Sequence, residues 1–410
     1  MYKKTIDPYL VFIVIALVIF GVVMISSVSV YPSFKYTSQL AAKWILTEAN
    51  NSYFLMKTFF NLFVSLAVLV FFTKFSYSLL EKYYRVIFVG IFGIMIFVLF
   101  FGEEFNGARW WITLPWTSTV IQPVEFAKIG IILFLASFMK KKRALLSQFA
   151  DGALPYFIIV WALFFLLALQ PDFGSILILA PVLISLYFVG WWNSRYIIVL
   201  FIIWGIFASS VYGLGKLWTS DGSTRSKLSY ISERIDSFFQ DNETLFSKKE
   251  SDGKDYQIKQ WLTAIWSGWF GGLGFGKSIQ KFGYLPEVQW DFIFSVIVEE
   301  LWFVWALCLL SIYLTIVYRG YMIARGVKDP FWKYTAFGLS TLILVQVFIN
   351  IGVNLNVIPL TGVTLPFVSY GGSSLIALMM SIGILLNISR YMEHQSPVSS
   401  YSFSKKRRVY

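Results

Sequence analysis

The sequence predicts an all-α, polytopic membrane protein of ten transmembrane helices, with a large extracytoplasmic loop between the seventh and eighth. Three observations predict it. Of the 410 residues, 57% are hydrophobic and only 14% charged, whereas a soluble domain is nearer half apolar and a quarter charged. Apolar runs of about 20 residues, each long enough to cross a bilayer, recur along the whole chain. Lys and Arg are also distributed unevenly between the loops.

The ten apolar segments are roughly 9–30, 55–73, 84–101, 123–139, 153–169, 173–191, 196–215, 292–318, 333–357 and 367–389. The first follows "MYKK". It is longer than a signal-peptide core and no small-x-small cleavage site follows it, so it reads as a retained helix. Segments five and six meet at "QPDFG", where Pro171 and Gly174 interrupt the helical pattern. With the N-terminus in the cytoplasm, the cytoplasmic side collects 19 Lys and Arg, including Lys3, Lys4, "KKKR" at 140–143, Arg319, Arg325, Lys328 and "KKRR" at 405–408. The short outer loops hold three: Lys35, Lys43 and Arg109. That asymmetry places both termini in the cytoplasm and fits an even number of crossings. The net charge of +12 is then mostly topological signal and attraction to anionic lipid, not a nucleic-acid surface.

The chain reads as a single transmembrane domain over 1–410, with a basic cytoplasmic tail at 391–410. The loop 216–291 has two unlike halves. The first is polar and mixed in charge. The second, "YQIKQWLTAIWSGWFGGLGFGKSIQKFGYLPE", opens with apolar residues near helical spacing and Trp261, Trp266 and Trp269. It is expected to lie in the membrane interface, with the tryptophans fixing its depth. A Gly-rich turn follows and is expected to act as the hinge of a lid.

Cys308 and His394 are the only residues of their kinds. No intrachain disulfide, cysteine cluster, histidine triad or His-ligated zinc site is possible. Acid–base chemistry falls to Asp, Glu, Lys, Arg or Tyr.

Several stretches place such groups beside apolar ones. In "QPVEFAKIG", Pro123 suits a first helical turn. Glu125 and Lys128 follow on one face at i and i+3. A self-neutralising pair is the plainer reading, but apolar residues there would avoid its desolvation cost. Arg109 in "FNGARWWITLPW" lies on the same side, either as a stray cation in an aromatic belt or as part of a shared cavity. Asp172 in "QPDFGS" reads best as the cap of the sixth helix. "GFGKS" lacks the Walker spacing, yet it would bring Lys277 and backbone amides near a lipid diphosphate.

Asp291 stands at the start of the eighth helix, where it can be a cap or a base. Glu287 lies four residues earlier, and like charge at that spacing tends to raise one carboxyl pKa, as a general base requires. Glu299 is eight residues further on, about 12 Å along a helix. It and Glu300 are expected to bond to neighbouring helices. "NIGVNLNVIPLTGVTLPFVSYGGSS" puts Asn350, Asn354 and irregular backbone at membrane depth, which is tolerated only inside protein or along a wet cavity. Gln257 on the interfacial segment and Ser369 in "FVSYGGSS" join Arg109, Glu125, Lys128, Lys277 and Glu287 as candidate substrate-binding residues. Asp172, Glu299, Glu300 and Asn350 are supporting ones. No metal ligands are assigned.

Seven stretches, in order, resemble the SEDS family (shape, elongation, division and sporulation), the RodA and FtsW proteins. They are "GARWWI", "QPVEFAKIG", "QPDFGS", "RIDSFF", the 256–287 segment, "DFIFSVIVEEL" and "PLTGVTLPFVSYGGSSL". The resemblance implies a ten-helix enzyme of the bacterial cytoplasmic membrane that polymerises lipid II into glycan strands on the outer face. It makes Asp291 the essential loop aspartate and Glu125 and Lys128 the functional fourth-helix pair. It also implies a class B penicillin-binding protein and other divisome or elongasome proteins as partners. "SIQKFGYLPE" and "GVTLPFVSYGGSS" look more like the division branch, FtsW, than RodA. Two positions depart from the family pattern. Gln289-Trp290 stands where His-Thr is usual, and "EELW" stands for "EELG".

The implied mechanism is inverting glycosyl transfer with Asp291 as base and Arg109, Lys128 and Lys277 facing the departing diphosphate. A divalent cation, Mg or Mn, fits the same role, although no ligand cage is legible. Two other classes stay open: a flippase for the lipid-linked precursor, and a scaffold that only recruits a transpeptidase. A flippase needs an ionisable path through the membrane. A scaffold has no use for Glu125, Lys128 and Asp291 in apolar surroundings.

Overall fold

The computed structural model describes residues 6–191 and 254–392, apart from 46, 106–107, 114–119, 146–147 and 269–270, with isolated positions between 205 and 213. The seventh apolar segment, the polar half of the long loop and the basic tail lie outside the described residues. The helices before the loop are α1 (Pro8–Val28), α2 (Val30–Ala42), α3 (Tyr53–Lys74), α4 (Tyr77–Lys82), α5 (Tyr84–Phe101), α6 (Pro123–Lys141), α7 (Leu154–Leu169) and α8 (Phe173–Trp191). Those after it are α9 (Lys254–Gly268), α10 (Ile293–Leu301), α11 (Phe303–Gly326), α12 (Pro330–Asn354) and α13 (Gly372–Ser389). Among the described residues, eight helices are long and apolar enough to cross a membrane. The protein is therefore multi-pass. Helix α6, the fourth predicted segment, has 19 residues and is set apart from those eight by its charges, which include Glu125 and Lys128.

Helix starts follow the sequence. Asp7 precedes Pro8, and its Oδ1 accepts from Tyr9 N and Leu10 N. Asp329 precedes Pro330 and accepts from Phe331 N. Proline at the first helical position costs no hydrogen bond, because that amide has no helical acceptor. One feature departs from an all-helical chain. "ARWWI" lies in a small antiparallel sheet of β1 (Glu103–Phe105), β2 (Ala108–Thr113) and β3 (Val120–Ile121), in that order. Thr113 faces Val120 and Ile112 faces Ile121, so the sheet folds back to deliver the chain into α6.

Polar contacts fix how the helix ends align. At the start of α1, Asp7 binds Arg319 at 2.6 Å and its amide donates to Ser389 Oγ at 3.2 Å. The start of α1 thus shares one end of the bundle with the ends of α11 and α13. The end of α1, the end of α12 and the start of α13 share the opposite end. Helix α12 is the central post, packed against α6, α8 and α11, while α13 packs mainly on α3.

The predicted eighth helix over 292–318 is corrected. It is two helices, α10 and α11, separated at Trp302, whose φ of 82° and ψ of 156° only glycine adopts without strain. The break exposes the last carbonyls of α10, and Leu273 N and Gly274 N donate to Glu299 O at 2.8 Å and Glu300 O at 2.9 Å. Helix α11 alone, at 24 residues, suffices to span. Glu299 and Glu300 therefore precede the span instead of lying inside it. Replacing Trp302 with Gly is expected to relieve about 1–3 kcal/mol of backbone strain. It should raise the thermal unfolding midpoint of the detergent-solubilised protein, and an unchanged or lower midpoint would remove the strain argument.

Candidate active site

Every candidate residue whose placement is described lies at the bundle end shared by the C-termini of α1 and α12. Asp291 is the clearest case. It does not hold the N-cap position of α10: that helix starts at Ile293, and its N-cap residue is Phe292, whose side chain makes no capping bond. Two buried amides of α12 hold its backbone carbonyl instead. Asn350 Nδ2 donates to Asp291 O at 2.9 Å and to Val363 O at 2.7 Å. Asn354 Nδ2 donates to Asp291 O at 3.0 Å and to Asn350 O at 2.9 Å. Asn354 Oδ1 in turn accepts from Ser295 N and Ser295 Oγ, which satisfies the first turn of α10. One carbonyl thus receives both amides, and the residue carrying it is fixed to the central helix. The carboxylate faces the turn at Gly362, where Oδ2 lies 3.6 Å from the place a Cβ would occupy. Gly362 has φ of +73°, so a side chain there would strain the turn.

The segment expected to lie in the interface forms a helix, α9, and its tryptophans differ in burial. Trp261 is 1% exposed and stacks on Phe292, the residue after Asp291, with ring centroids 4.6 Å apart. It is a packing residue of the site, not a depth marker. Trp266 is 67% exposed, and Trp269 lies outside the described residues. Helix α9 ends where Gly268 meets α10 backbone to backbone. A Cβ on Gly268 would lie 2.2 Å from Val298 O and 2.4 Å from Glu299 Cα. Gly268→Ala is expected to push α9 off α10 and cut activity by at least tenfold, since about 1 Å of misplacement can cost 10²-fold. Wild-type activity in that variant would show that the α9–α10 contact does not set the site.

Lys128 is 2% exposed, and its Nζ donates to Glu125 Oε1 at 2.7 Å. The self-neutralising pair is thus formed, and it sits among the candidate residues. Gln122 N, at the α6 start, donates to Ser373 Oγ at 3.0 Å. Asp172 does cap α8, with Oδ1 accepting from Ser175 N at 2.9 Å. Burial raises the Asp172 carboxyl pKa, against the lowering by Ser175 and by the charge of nearby Lys128. Among the described residues, its Oδ2 and the Oδ1 of Asn350 are buried and accept no hydrogen bond. Lys128→Met would leave Glu125 nearly buried and unpaired, which typically costs about 3–5 kcal/mol. Lys35→Met, at an exposed position, should change stability by less than about 1 kcal/mol. Equal unfolding midpoints for the two variants would contradict the assignment of the pair.

The segment 359–374 links these groups. Gly362 borders Asp291, Thr361 O lies 2.8 Å from a Cβ position on Gly174 beside Asp172, and Ser373 meets α6. Ser369 stabilises this segment internally, its Oγ accepting from Leu365 N at 2.9 Å, and lines a small cleft with Thr58, Asn61 and Tyr370. Tyr370 N donates to Gln289 O, and Trp290 packs edge-on against Phe54 and Tyr370. The unusual Gln289-Trp290 pair is therefore absorbed into an aromatic cluster.

Four candidates stand further out. Gln257 is half-buried on α9, and Lys277 is exposed. Glu287 is exposed at φ of 54°, and it reaches Asp291 through its carbonyl, which accepts Trp290 N and Asp291 N. Arg109 has its backbone in β2, and its side chain lies outside the described set.

The sequence reading missed Lys281. This residue is 4% exposed and binds Glu300 at 2.8 Å. The expected bond to a neighbouring helix is made by Glu300, which accepts from Ser27 of α1; both carboxylates also accept from the Gly-rich turn. Only the turn's richness in glycine hinted that backbone amides would be offered to an anion. The anions turn out to be the chain's own.

The arrangement matches known proteins along its whole length. A family model described as "Cell cycle protein", covering FtsW, RodA and SpoVE, matches residues 8–394. The chain is 32% identical over 413 residues to the probable peptidoglycan glycosyltransferase FtsW of Bacillus subtilis (strain 168), covering 100% of this chain and 95% of the relative. It is 33% identical over 396 residues to stage V sporulation protein E of the same organism, covering 96% and 99%. The rod shape determining protein RodA of Thermus thermophilus superposes with a TM-score of 0.64 at 26% identity, over 95% of this chain and 98% of that one. A chain from a peptidoglycan synthase complex, described for its coordination of polymerization and crosslinking, superposes with a TM-score of 0.69 at 26% identity, over 94% and 98%. This chain belongs to the FtsW/RodA/SpoVE family of cell cycle proteins.

Proposed function

We propose that this protein is a peptidoglycan glycosyltransferase that polymerises lipid II at the outer face of the bacterial cytoplasmic membrane. The observation that carries the reading is the double amide clamp on Asp291, which spends two buried asparagines to fix one carboxylate-bearing residue. Asp291 takes the proton of the acceptor's sugar hydroxyl. That oxygen attacks the anomeric carbon of the growing lipid-linked strand, with inversion. The bond to the diphosphate breaks, and undecaprenyl diphosphate leaves with the electron pair. Lys128, Lys277 and Arg109 offset the charge that develops on it, and the apolar helix faces hold the two polyprenyl tails so that their heads meet. Glu125 holds Lys128 in place through their ion pair, while Gln257, Glu287 and Ser369 line the approach.

Among the described residues no three His, Cys, Asp or Glu side chains converge. A Mg or Mn ion would therefore take most of its oxygens from the diphosphate, as Mg does in many phosphate sites. The steps above use the chain's own groups.

The positive-inside bias supports cytoplasmic termini. The relatives named FtsW support a septal role over elongation. The match to a synthase complex supports a class B penicillin-binding protein as partner. The test is polymerisation of labelled lipid II by the purified chain, alone and with the partner transpeptidase. Strands whose yield follows this chain support the proposal. Strands that form equally without it, or with Asp291 replaced, would leave the chain a scaffold.

A further inference from the structure

Lys281 is buried beneath the Gly-rich turn, and no step of the proposed reaction uses it. Its Nζ donates to Glu300 Oε1 at 2.8 Å and to Ser27 Oγ at 2.8 Å. Ser27 Oγ also binds Glu300 at 3.0 Å. Three segments meet there: the end of α1, the turn and the end of α10. The carboxylates collect the turn's amides as well. Glu300 accepts from Gly276 N at 3.0 Å and Ser278 N at 3.3 Å. Glu299 accepts from Ile279 N at 3.1 Å and from Ser278 Oγ. With Leu273 N and Gly274 N on the carbonyls of α10, five backbone amides of 273–279 are committed to a helix of nine residues.

A turn held at that many points is not a hinge. It is a shelf locked to α10, and α10 is the element that carries Asp291 at its other end. Helix α10 is thus a short beam fixed twice: at Asp291 by Asn350 and Asn354, and at Glu300 by Lys281 and Ser27. Nine residues span roughly 13 Å, so a small tilt at the Glu300 end moves Asp291 by a comparable amount.

Resting on the glycosyltransferase reading, we propose that Lys281 is a positioning residue for Asp291, acting through its buried ion pair with Glu300. The lid expected from the sequence is replaced by a latch.

The test compares wild type with Lys281→Met and with the double variant Lys281→Met/Glu300→Gln, which removes both charges and so avoids a buried unpaired carboxylate. Lys281→Arg is the conservative rescue. Two readouts are taken on the full-length protein in detergent: amide hydrogen exchange of the peptide covering 271–283, and steady-state polymerisation of labelled lipid II. The latch predicts exchange faster by at least about tenfold in both Met variants, as local opening replaces a closed unit. In the double variant it predicts kcat lower by about 10²-fold with KM little changed, the signature of a misplaced reacting group. Arg should restore most of both. Unchanged exchange in the double variant overturns the latch. So does faster exchange with wild-type kcat, or a parallel fall of activity and unfolding midpoint that Arg does not restore. Exchange does not depend on catalysis. If wild type shows no polymerisation while exchange behaves as described, it is the glycosyltransferase reading that fails, and the latch stands as a structural device.

Discussion

Asp291→Asn is expected to abolish strand synthesis while leaving the protein folded and inserted. The change keeps side-chain size and leaves the backbone carbonyl that Asn350 and Asn354 hold. It removes the negative charge and, with it, the ability to take a proton. General-base removal costs about 10²–10⁴-fold, which places residual activity near the limit of a gel-based strand assay. Asp291 is buried but does not hold the N-cap position of α10, so a structural explanation for the loss would require a lower unfolding midpoint. Polymerisation at the wild-type rate with a normal midpoint would show that another group takes the proton.

Asn354→Leu is the second large effect. Leucine keeps the branched shape and the number of side-chain heavy atoms, and its methyl groups are bulkier than the amide, so no cavity is created. It would strip a donor from Asp291 O and Asn350 O, and an acceptor from Ser295 N and Ser295 Oγ. An unsatisfied buried polar group costs about 1–3 kcal/mol. Partial relaxation keeps the sum below simple addition, so a loss of about 3 kcal/mol or more is expected. Because α10 would also come loose at its Asp291 end, kcat should fall by about 10²-fold beyond what reduced folding explains. The comparison is specific activity per folded molecule, with the folded fraction read by size-exclusion profile. A variant with full specific activity would mean that the clamp serves the fold alone.

The sequence made the local parts of this site readable and hid the distant ones. Membrane spans were legible because an apolar run of about 20 residues has few other uses. The Glu125–Lys128 pair and the Asp172 cap were legible because both depend on spacing of three residues within one helix. The break at Trp302 was not. Tryptophan gives no warning of positive φ, although the departure from "EELG" marked the position. Lys281 was hidden for a different reason. Its partner Ser27 is 254 residues away in sequence, and only the fold brings them together. Trp261 was read as an interfacial anchor because amphipathic spacing cannot distinguish a membrane surface from a protein surface. The stack on Phe292 decides between them. Asn350 and Asn354 were noticed as polar groups at depth, but their common target, the carbonyl of Asp291, precedes α10 and lies 59 and 63 residues away in the chain.

The central claim is that the end of the bundle around Asp291 makes glycosidic bonds. Its most direct test is to place the purified protein in sealed vesicles with labelled lipid II and the partner transpeptidase, and to follow two quantities in parallel: strand length and the rate at which lipid II crosses the bilayer. Wild type should yield strands, Asp291→Asn should yield none, and the crossing rate should match that of empty vesicles in both. Crossing accelerated equally by both proteins, with no strands from either, would contradict the account and make the chain a transporter of the lipid-linked precursor.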